Sequence, residues 1–270
     1  MRRSQLRIAA LALGVLACTV STAEAQVPAP SLRRIATEAL FQQRGVLVFS
    51  KTAGFRHSSI PAGIVRMESL CAEWRRPFLA TEDAGQFTDA GLAGYSVVVF
   101  LNTTGDVLND EQQAAFERFM QGGGGFLGVH SAADTEYEWP FYRDCVGAYF
   151  RGHPAVQDAR IEVLNRRHRS TRHFESTFTR KDEWYDFRAA PLPAFDRLLR
   201  LDVESYKGER MVADGVAETH PIAWCREMGA ARCLYTGGGH TPESFDEPEF
   251  VQHLRGALCW LLEPRPRARF

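Results

Sequence analysis

Three histidines follow short apolar segments and glycine-containing turns. His57 ends the sequence GFRH, His130 ends GFLGVH, and His240 ends TGGGH. An imidazole with an ordinary pKa of about 6.5 acts as an acid or a base near neutral pH, and its neutral form binds metals. For one histidine alone a structural hydrogen bond is the simpler interpretation. Three at equivalent strand ends favour a shared site for acid–base chemistry or for a divalent metal ion.

Carboxylates that could orient these imidazoles, or act as the base, lie close to two of them in sequence. Asp134 follows His130 by four residues, and Glu243 follows His240 by three. Solvated surface acids are the alternative for both. Because acid–base catalysis often pairs an imidazole with a carboxylate, we predict catalytic roles for Asp134 and Glu243 beside the three histidines.

The elements before the histidines must bring them together. The segments 45–50, 96–101 and 125–130 are short, almost entirely apolar and rich in β-branched residues, which is typical of buried parallel strands. Helical patterns lie between them, so the chain predicts an open α/β sheet with helices on both faces. In such sheets ligands bind beyond the carboxyl ends of the strands, where the three histidines are placed.

The second half of the chain has a different pattern. ARIEVLN and FDRLLRLDV are typical of strands, and HPIAWCRE followed by ARCLYTG predicts a hairpin before a final amphipathic helix. The fold class is therefore α/β, with a doubly wound, mostly parallel sheet and an antiparallel excursion between about 150 and 215.

Several side chains near the histidines suit a sugar. Aromatic rings stack on sugar faces, and Tyr137, Trp139 and Trp184 lie in aromatic-rich segments, although core packing is the alternative for each. Arg56 and Ser131 adjoin His57 and His130, and His153 follows the first aromatic segment. The predicted substrate-binding residues are Arg56, Ser131, Tyr137, Trp139, His153 and Trp184.

The first 25 residues have the pattern of an export signal. Three arginines precede an apolar run of 13 residues, and Ala23-Glu24-Ala25 provides a cleavage site. The run is shorter than the roughly 20 residues of a membrane span. We expect cleavage near Ala25 and a periplasmic or secreted protein without a stable membrane span; lipid attachment at Cys18 is the alternative.

The mature chain has 29 basic and 32 acidic residues, a net charge near −3, which gives no nucleic-acid footprint. Its five cysteines form no Cys-x-x-Cys pair. Cys225 and Cys233 flank a predicted hairpin turn and could form a disulfide or remain buried thiols. Neither the oligomeric state nor the roles of His168 and His173 follow from the sequence.

The segments KTAGFRHSSI, GGGGFLGVHSAADT, DEWYDF, HPIAW and LYTGGGHTPESFDEPEF, in this order, resemble the ThuA-like (trehalose-utilisation) family. The resemblance covers about 45–262 and implies a flavodoxin-like fold of the class I glutamine amidotransferase type. The chain then divides into a signal peptide (1–25), a leader (26–44) and a single ThuA-like domain (45–264).

Relatives with glutamine amidotransferase activity carry a cysteine nucleophile at the elbow between a strand and a helix, with a histidine and a glutamate after a later strand. Here the elbow presents His130, while His240 and Glu243 resemble the other two residues. Because the thiol is missing, acyl-enzyme chemistry on glutamine is not expected. A periplasmic amidase with Ser131 as nucleophile is an alternative.

The resemblance implies a role in sugar metabolism, since ThuA-like proteins are associated with disaccharide use and 3-keto sugars. A 3-keto group acidifies the neighbouring C2 hydrogen, so a base can start elimination of the glycosidic oxygen at C1. We therefore expect a hydrolase or lyase that acts on a small sugar substrate, a 3-keto glycoside, by acid–base or metal-assisted chemistry. A carbohydrate-binding protein without catalysis is the alternative.

Overall fold

A computed structural model describes residues 44–207 and 220–263 of the chain. The predicted export signal with Cys18, the predicted leader up to residue 43 and Pro264 lie outside these residues. Within the described ranges no helix has the length and apolar character needed to cross a bilayer.

The described residues form eleven strands and five α-helices. The strands are β1 (Gly45–Phe49), β2 (Phe78–Thr81), β3 (Tyr95–Leu101), β4 (Gly125–Val129), β5 (Phe150–Gly152), β6 (Gln157–Val163), β7 (Thr177–Asp182), β8 (Asp186–Phe187), β9 (Asp196–Leu201), β10 (His220–Met228) and β11 (Ala231–Thr236). The helices are α1 (Ile60–Glu73), α2 (Asp89–Leu92), α3 (Asp110–Gln121), α4 (Pro140–Val146) and α5 (Pro248–Leu262).

Nine strands form one sheet in the order β2-β1-β3-β4-β11-β10-β9-β6-β7, and β5 pairs with β8 separately. From β2 to β11 every neighbour is parallel, whereas β10, β9, β6 and β7 pair in antiparallel fashion. We call these two parts the parallel half and the antiparallel half. The predicted doubly wound, mostly parallel sheet with an antiparallel excursion is confirmed. The excursion extends the main sheet.

Both faces of the parallel half are buried, which explains its apolar strand sequences. In β1, Leu47 and Phe49 point into one core and Val46 and Val48 into the other. The first core is covered by α3 and α4, and the second by α1 and α5. Helix α3 begins at a capping box formed by Asn109 and Gln112, with Asp110 and Glu111 in its first turn.

Two elements, β7 and α4, are not predicted by the sequence. The residues before the DEWY segment form strand β7, whose charged residues alternate along a partly exposed strand, and the aromatic segment after Trp139 contains helix α4. The sequence patterns of these two elements are weaker signals than the continuous apolar runs of the buried strands. Cys225 and Cys233 are free thiols. Arg226 pairs with Cys233 across the hairpin, so the two cysteines lie on opposite faces and enter different cores.

Candidate active site at the carboxyl edge of the sheet

The three predicted histidines meet beyond the carboxyl ends of β1, β4 and β11. The ring centroids of His57 and His130 are 4.9 Å apart, those of His57 and His240 5.1 Å, and those of His130 and His240 5.2 Å. A fourth group, Glu183, joins them from the end of β7, and potential ligand atoms of all four residues lie within 4.8 Å of one another. We call these four residues the histidine–glutamate cluster.

His130 stands at a sharp turn between β4 and a 3₁₀ helix, His130–Asp134. Its φ of +49° lies in the left-handed region, which a residue with a side chain occupies only when the surroundings enforce it. Here the Tyr235 hydroxyl donates to the carbonyl oxygen of His130 at 2.8 Å. The Nδ1–H of His130 donates to the carbonyl oxygen of Gly237 at 2.9 Å, so its neutral ring presents an unprotonated Nε2 to the cluster.

A buried polar contact ties the turn after β11 to the elements around β1 and β3. The side-chain amide of Asn102 donates to the Ser59 hydroxyl at 2.8 Å and to the carbonyl oxygen of Gly239 at 3.0 Å. The Ser59 hydroxyl also donates to the Gly239 carbonyl at 3.0 Å. These bonds join the segments that carry His57 and His240.

Glu183 is the centre of the cluster. Its Oε2 lies 3.0 Å from Nδ1 of His240 and 3.5 Å from Nε2 of His130, and its Oε1 lies 3.0 Å from Nδ1 of His153. Burial would raise the pKa of this carboxyl, but the adjacent His130 and His240 imidazoles outweigh burial and lower it to about 2. Glu183 is therefore a carboxylate near neutral pH.

The neighbouring Asp182 fixes the backbone of the cluster. Its fully buried carboxylate accepts from the backbone N–H groups of Glu183 (2.8 Å), Gly239 (2.8 Å) and His240 (3.1 Å). Although burial opposes ionisation, Arg180 at 2.7 Å and these donors lower the pKa of Asp182. Asp182 thus joins the antiparallel half to the loop that carries His240.

The cluster's environment separates the histidines electrostatically. Burial, followed by the neighbouring His130 and His240, lowers the pKa of His57 to about 3. The hydrogen bond with Glu183 raises the pKa of His240 despite its partial burial. His57 is therefore neutral near pH 7, the form that accepts a proton or binds a metal.

Two further predicted residues contact the cluster. The Ser131 hydroxyl lies 3.3 Å from Nδ1 of His57. His153 contacts Glu183, and 42% of its side chain is exposed. Two predicted catalytic acids lie elsewhere: Asp134 accepts a hydrogen bond from the Tyr137 hydroxyl at 2.5 Å, and Glu243 lies exposed on a 3₁₀ helix, outside the cluster.

The other predicted substrate-binding residues have varied positions. Arg56 is exposed and paired with Glu82 at 2.7 Å, next to His57 in the chain. Tyr137 lines a cavity of about 450 Å³ with Tyr149 and Arg188, to which no cluster residue contributes. Trp139 packs in the first core and Trp184 in the second, and the Trp184 side chain is only 1% exposed. In this structure the two tryptophans have core positions.

The sequence predicts no catalytic or metal-binding role for Glu183 or Asp182. Both stand in the DEWY segment, whose mixture of acids and aromatics was the available signal. The sequence alone does not predict their position. That position depends on β7, which lies at the far edge of the sheet, and on the residues at its end, which return toward the parallel half. Together the cluster residues can move protons, hold a cation and bind hydroxyl groups.

This fold and site define a flavodoxin-like α/β protein with a histidine at the strand-to-helix elbow and a carboxylate beside it. The model of the ThuA family, described as trehalose utilisation, matches residues 45–261, and the chain belongs to this family. No curated protein matches the chain in sequence.

Solved structures share this fold. A protein described as ThuA-like from Bacteroides uniformis has a TM-score of 0.67 and 22% identity, over 81% of this chain and 91% of that one. Another, from Parabacteroides merdae, has a TM-score of 0.63 and 17% identity, over 81% and 90%. A β-galactosidase from Bacillus circulans sp. alkalophilus has a TM-score of 0.52 and 13% identity, over 81% of this chain and 31% of that one. At these identities the likeness concerns the fold.

Proposed function

We propose that the protein is an exported enzyme of sugar metabolism that cleaves a 3-keto glycoside by elimination and hydration. The observation that carries the proposal is the histidine–glutamate cluster at the carboxyl edge of the parallel half. Membership of the trehalose-utilisation family supports a sugar as substrate. The arginine-rich and apolar residues 1–25 support export.

The reaction begins with removal of the C2 proton, which the 3-keto group acidifies. The C2–H electron pair forms a C1=C2 double bond while the C1–O bond breaks, and the departing oxygen takes a proton to leave as an alcohol. Water then adds across the double bond, with oxygen at C1 and hydrogen at C2. The sum is hydrolysis without any net oxidation.

His57 is our candidate for the proton acceptor. It is neutral and only 4% exposed, and its Nδ1 is placed by the Ser131 hydroxyl. The ring of Phe55 packs edge to face against it, with centroids 4.9 Å apart, and Phe55 is 65% exposed. An exposed aromatic beside the base can stack on the apolar face of a sugar ring.

His153 is our candidate for the group that protonates the departing oxygen. Its Nδ1 faces two acceptors, Glu183 at 3.0 Å and the carbonyl oxygen of Pro154 at 3.1 Å, so Nδ1 carries a hydrogen. The ring nitrogen Nε2 is then the one that can exchange protons with substrate. The partly exposed side chain suits contact with a leaving group that extends into solvent.

The test uses the purified protein and a 3-keto glucoside that releases a chromogenic alcohol. We expect release above the measured spontaneous rate, together with deuterium incorporation at C2 of the recovered sugar in D₂O. The His57→Gln variant should release the alcohol about 100- to 10,000-fold more slowly, the usual contribution of a general base.

His173→Gln is the matched control, since His173 lies outside the cluster and bonds to the backbone oxygen of Glu249. A folded wild-type protein that binds the sugar without turnover, with chelator or with any added divalent metal, would support a carbohydrate-binding protein. That result would reject the catalytic proposal.

A further inference from the structure

The cluster contains three potential ligand atoms at the mutual spacing of metal ligands. Nε2 of His130 lies 3.3 Å from Nδ1 of His240 and 3.5 Å from Oε2 of Glu183, and the last two atoms are 3.0 Å apart. Ligand atoms at roughly 2.0–2.1 Å from one ion are about 3.0 Å apart in octahedral and 3.3 Å apart in tetrahedral geometry. We infer that His130, His240 and Glu183 bind one divalent transition-metal ion, with His57 beside an open coordination position.

The hydrogen bonds around the cluster orient its lone pairs inward. The carbonyl oxygen of Gly237 fixes the proton of His130 on Nδ1 and leaves Nε2 free for a cation. The Nδ1–H of His153 donates a hydrogen bond to Oε1 of Glu183, so Oε2 is the oxygen that faces the imidazoles of His130 and His240. The hydrogen on Nδ1 of His240 lies between this nitrogen and its two neighbours, Nε2 of His130 and Oε2 of Glu183. A bound metal ion would take the place of this hydrogen.

Hydrogen bonds within the protein hold the backbone of the three ligands in place. Asp182 holds the backbone N–H groups of Glu183 and His240, and the elbow holds His130 at φ +49°. Ligand side chains on fixed backbone lose little entropy on binding, and such second-layer hydrogen bonds commonly contribute 10- to 100-fold in metal affinity. The site is therefore prepared for an ion by residues that do not touch it.

The donor set indicates the class of ion. Two imidazoles and one carboxylate suit zinc, iron, cobalt, nickel or manganese, whereas calcium and magnesium prefer oxygen ligands. Three protein ligands leave positions open, as in catalytic metal sites. If the proposed function holds, on which this step rests, the 3-keto oxygen and the adjacent hydroxyl of the sugar can occupy them as a chelating pair.

His57 is distinguished from the three ligands by its contacts. Its Nδ1 lies 3.3 Å from the Ser131 hydroxyl, whereas the three ligand atoms lie 3.0 to 3.5 Å from one another. We therefore assign His57 to proton transfer beside the ion. His57→Gln and Glu183→Gln should both lose activity but differ in metal binding. His57→Gln should keep the metal, whereas Glu183→Gln should lose it.

The experiment measures metal binding directly. The full chain is stripped with a chelator, dialysed, and titrated with Mn²⁺, Fe²⁺, Co²⁺, Ni²⁺ and Zn²⁺ by calorimetry, with visible absorption to report Co²⁺ coordination and elemental analysis to give stoichiometry. We expect one ion per chain. Glu183→Gln should weaken binding at least about 100-fold, while His57→Gln and His173→Gln should stay within about threefold of wild type.

Thermal melting of each variant shows whether it is folded. His240→Gln replaces Glu183→Gln if the latter does not fold. The inference is overturned if the folded wild-type protein binds none of Mn²⁺, Fe²⁺, Co²⁺, Ni²⁺ and Zn²⁺, or if loss of the Glu183 carboxylate leaves binding unchanged. Full-rate sugar cleavage by metal-free protein would also overturn it, whereas stoichiometric metal without sugar cleavage would reject only the proposed function.

Discussion

The molecule contains two groups of three histidines that differ in what surrounds them. His57, His130 and His240 face one another and Glu183 at the sheet edge. The α5 histidine group, which consists of His168, His173 and His253, packs on or near helix α5, and each ring bonds to a serine or backbone oxygen: Ser170 Oγ, Glu249 O and Ser170 O.

The pKa shifts of the histidines also differ between the two groups. Burial lowers the pKa of all three members of the α5 histidine group, to about 4 for His168 and about 3 for His253. In the histidine–glutamate cluster, the carboxylate of Glu183 raises the pKa of His240. A shared carboxylate at strand ends, more than the number of histidines, marks a site able to bind a cation or move protons.

The largest expected effect concerns the residue that holds the histidine–glutamate cluster together. Asp182→Asn removes the buried charge that accepts from three backbone N–H groups and faces Arg180. Breaking one side of a buried pair costs about 3 kcal/mol or more, so the free energy of unfolding should fall by about 3 kcal/mol in urea titrations.

The matched control for Asp182→Asn is Asp246→Asn, which breaks the exposed pair with Arg66 and should cost less than about 1 kcal/mol. Equal losses in the two variants would contradict the structural role of Asp182.

The α5 histidine group should also contribute to the pH dependence of stability. His253 is fully buried, and its pKa is about 3 in the folded protein but about 6.5 when unfolded. Its stabilising contribution is complete above pH 6.5 and is lost as the pH falls toward 3, because only the unfolded chain binds the proton. His253→Gln should reduce the slope of stability against pH by about 1.4 kcal/mol per unit in this window.

Urea titrations of wild type and His253→Gln between pH 4 and pH 8 measure this slope, with His173→Gln as the half-exposed counterpart. Unchanged slopes in His253→Gln would show that His253 does not titrate on unfolding.

The smallest effect is expected for Ser131. Its substitution distinguishes chemistry carried out by the histidine–glutamate cluster from chemistry that uses a serine nucleophile. Its hydroxyl contacts His57 at 3.3 Å, a long hydrogen bond that contributes about 1 kcal/mol. Ser131→Ala should therefore slow sugar cleavage only about fivefold in steady-state kinetics. Complete loss of activity, together with labelling of wild type by a serine-directed phosphonate, would favour the amidase alternative.

The sequence predicts the parallel half, and the meeting of His57, His130 and His240 at its carboxyl edge, for a physical reason. Buried strands such as β1 and β3 are continuous apolar runs, and the histidines follow them directly, so local patterns determine both elements and site. The ThuA-like family predicted from the sequence segments is confirmed by the family model that matches residues 45–261. The predicted elbow is confirmed as a turn with a left-handed residue, His130.

The carboxylate of the site could not be predicted in the same way. Glu183 reaches the histidines because β10, β9, β6 and β7 extend the sheet and the chain then turns back, a path set by long-range antiparallel pairing. Glu243 was the choice from sequence proximity to His240, yet it lies on the exposed side of its 3₁₀ helix. Closeness in sequence was a poor guide to which acid faces an imidazole.

The order of strands in the sheet has a consequence for folding. The parallel half supplies three imidazoles, but the carboxylate arrives only with β7, the last strand at the opposite edge. Pairings between distant parts of a chain form slowly, and intermediates of larger domains often lack them. An intermediate with only the parallel half formed would carry the histidines and no Glu183, so recovery of activity during refolding should report completion of the whole sheet.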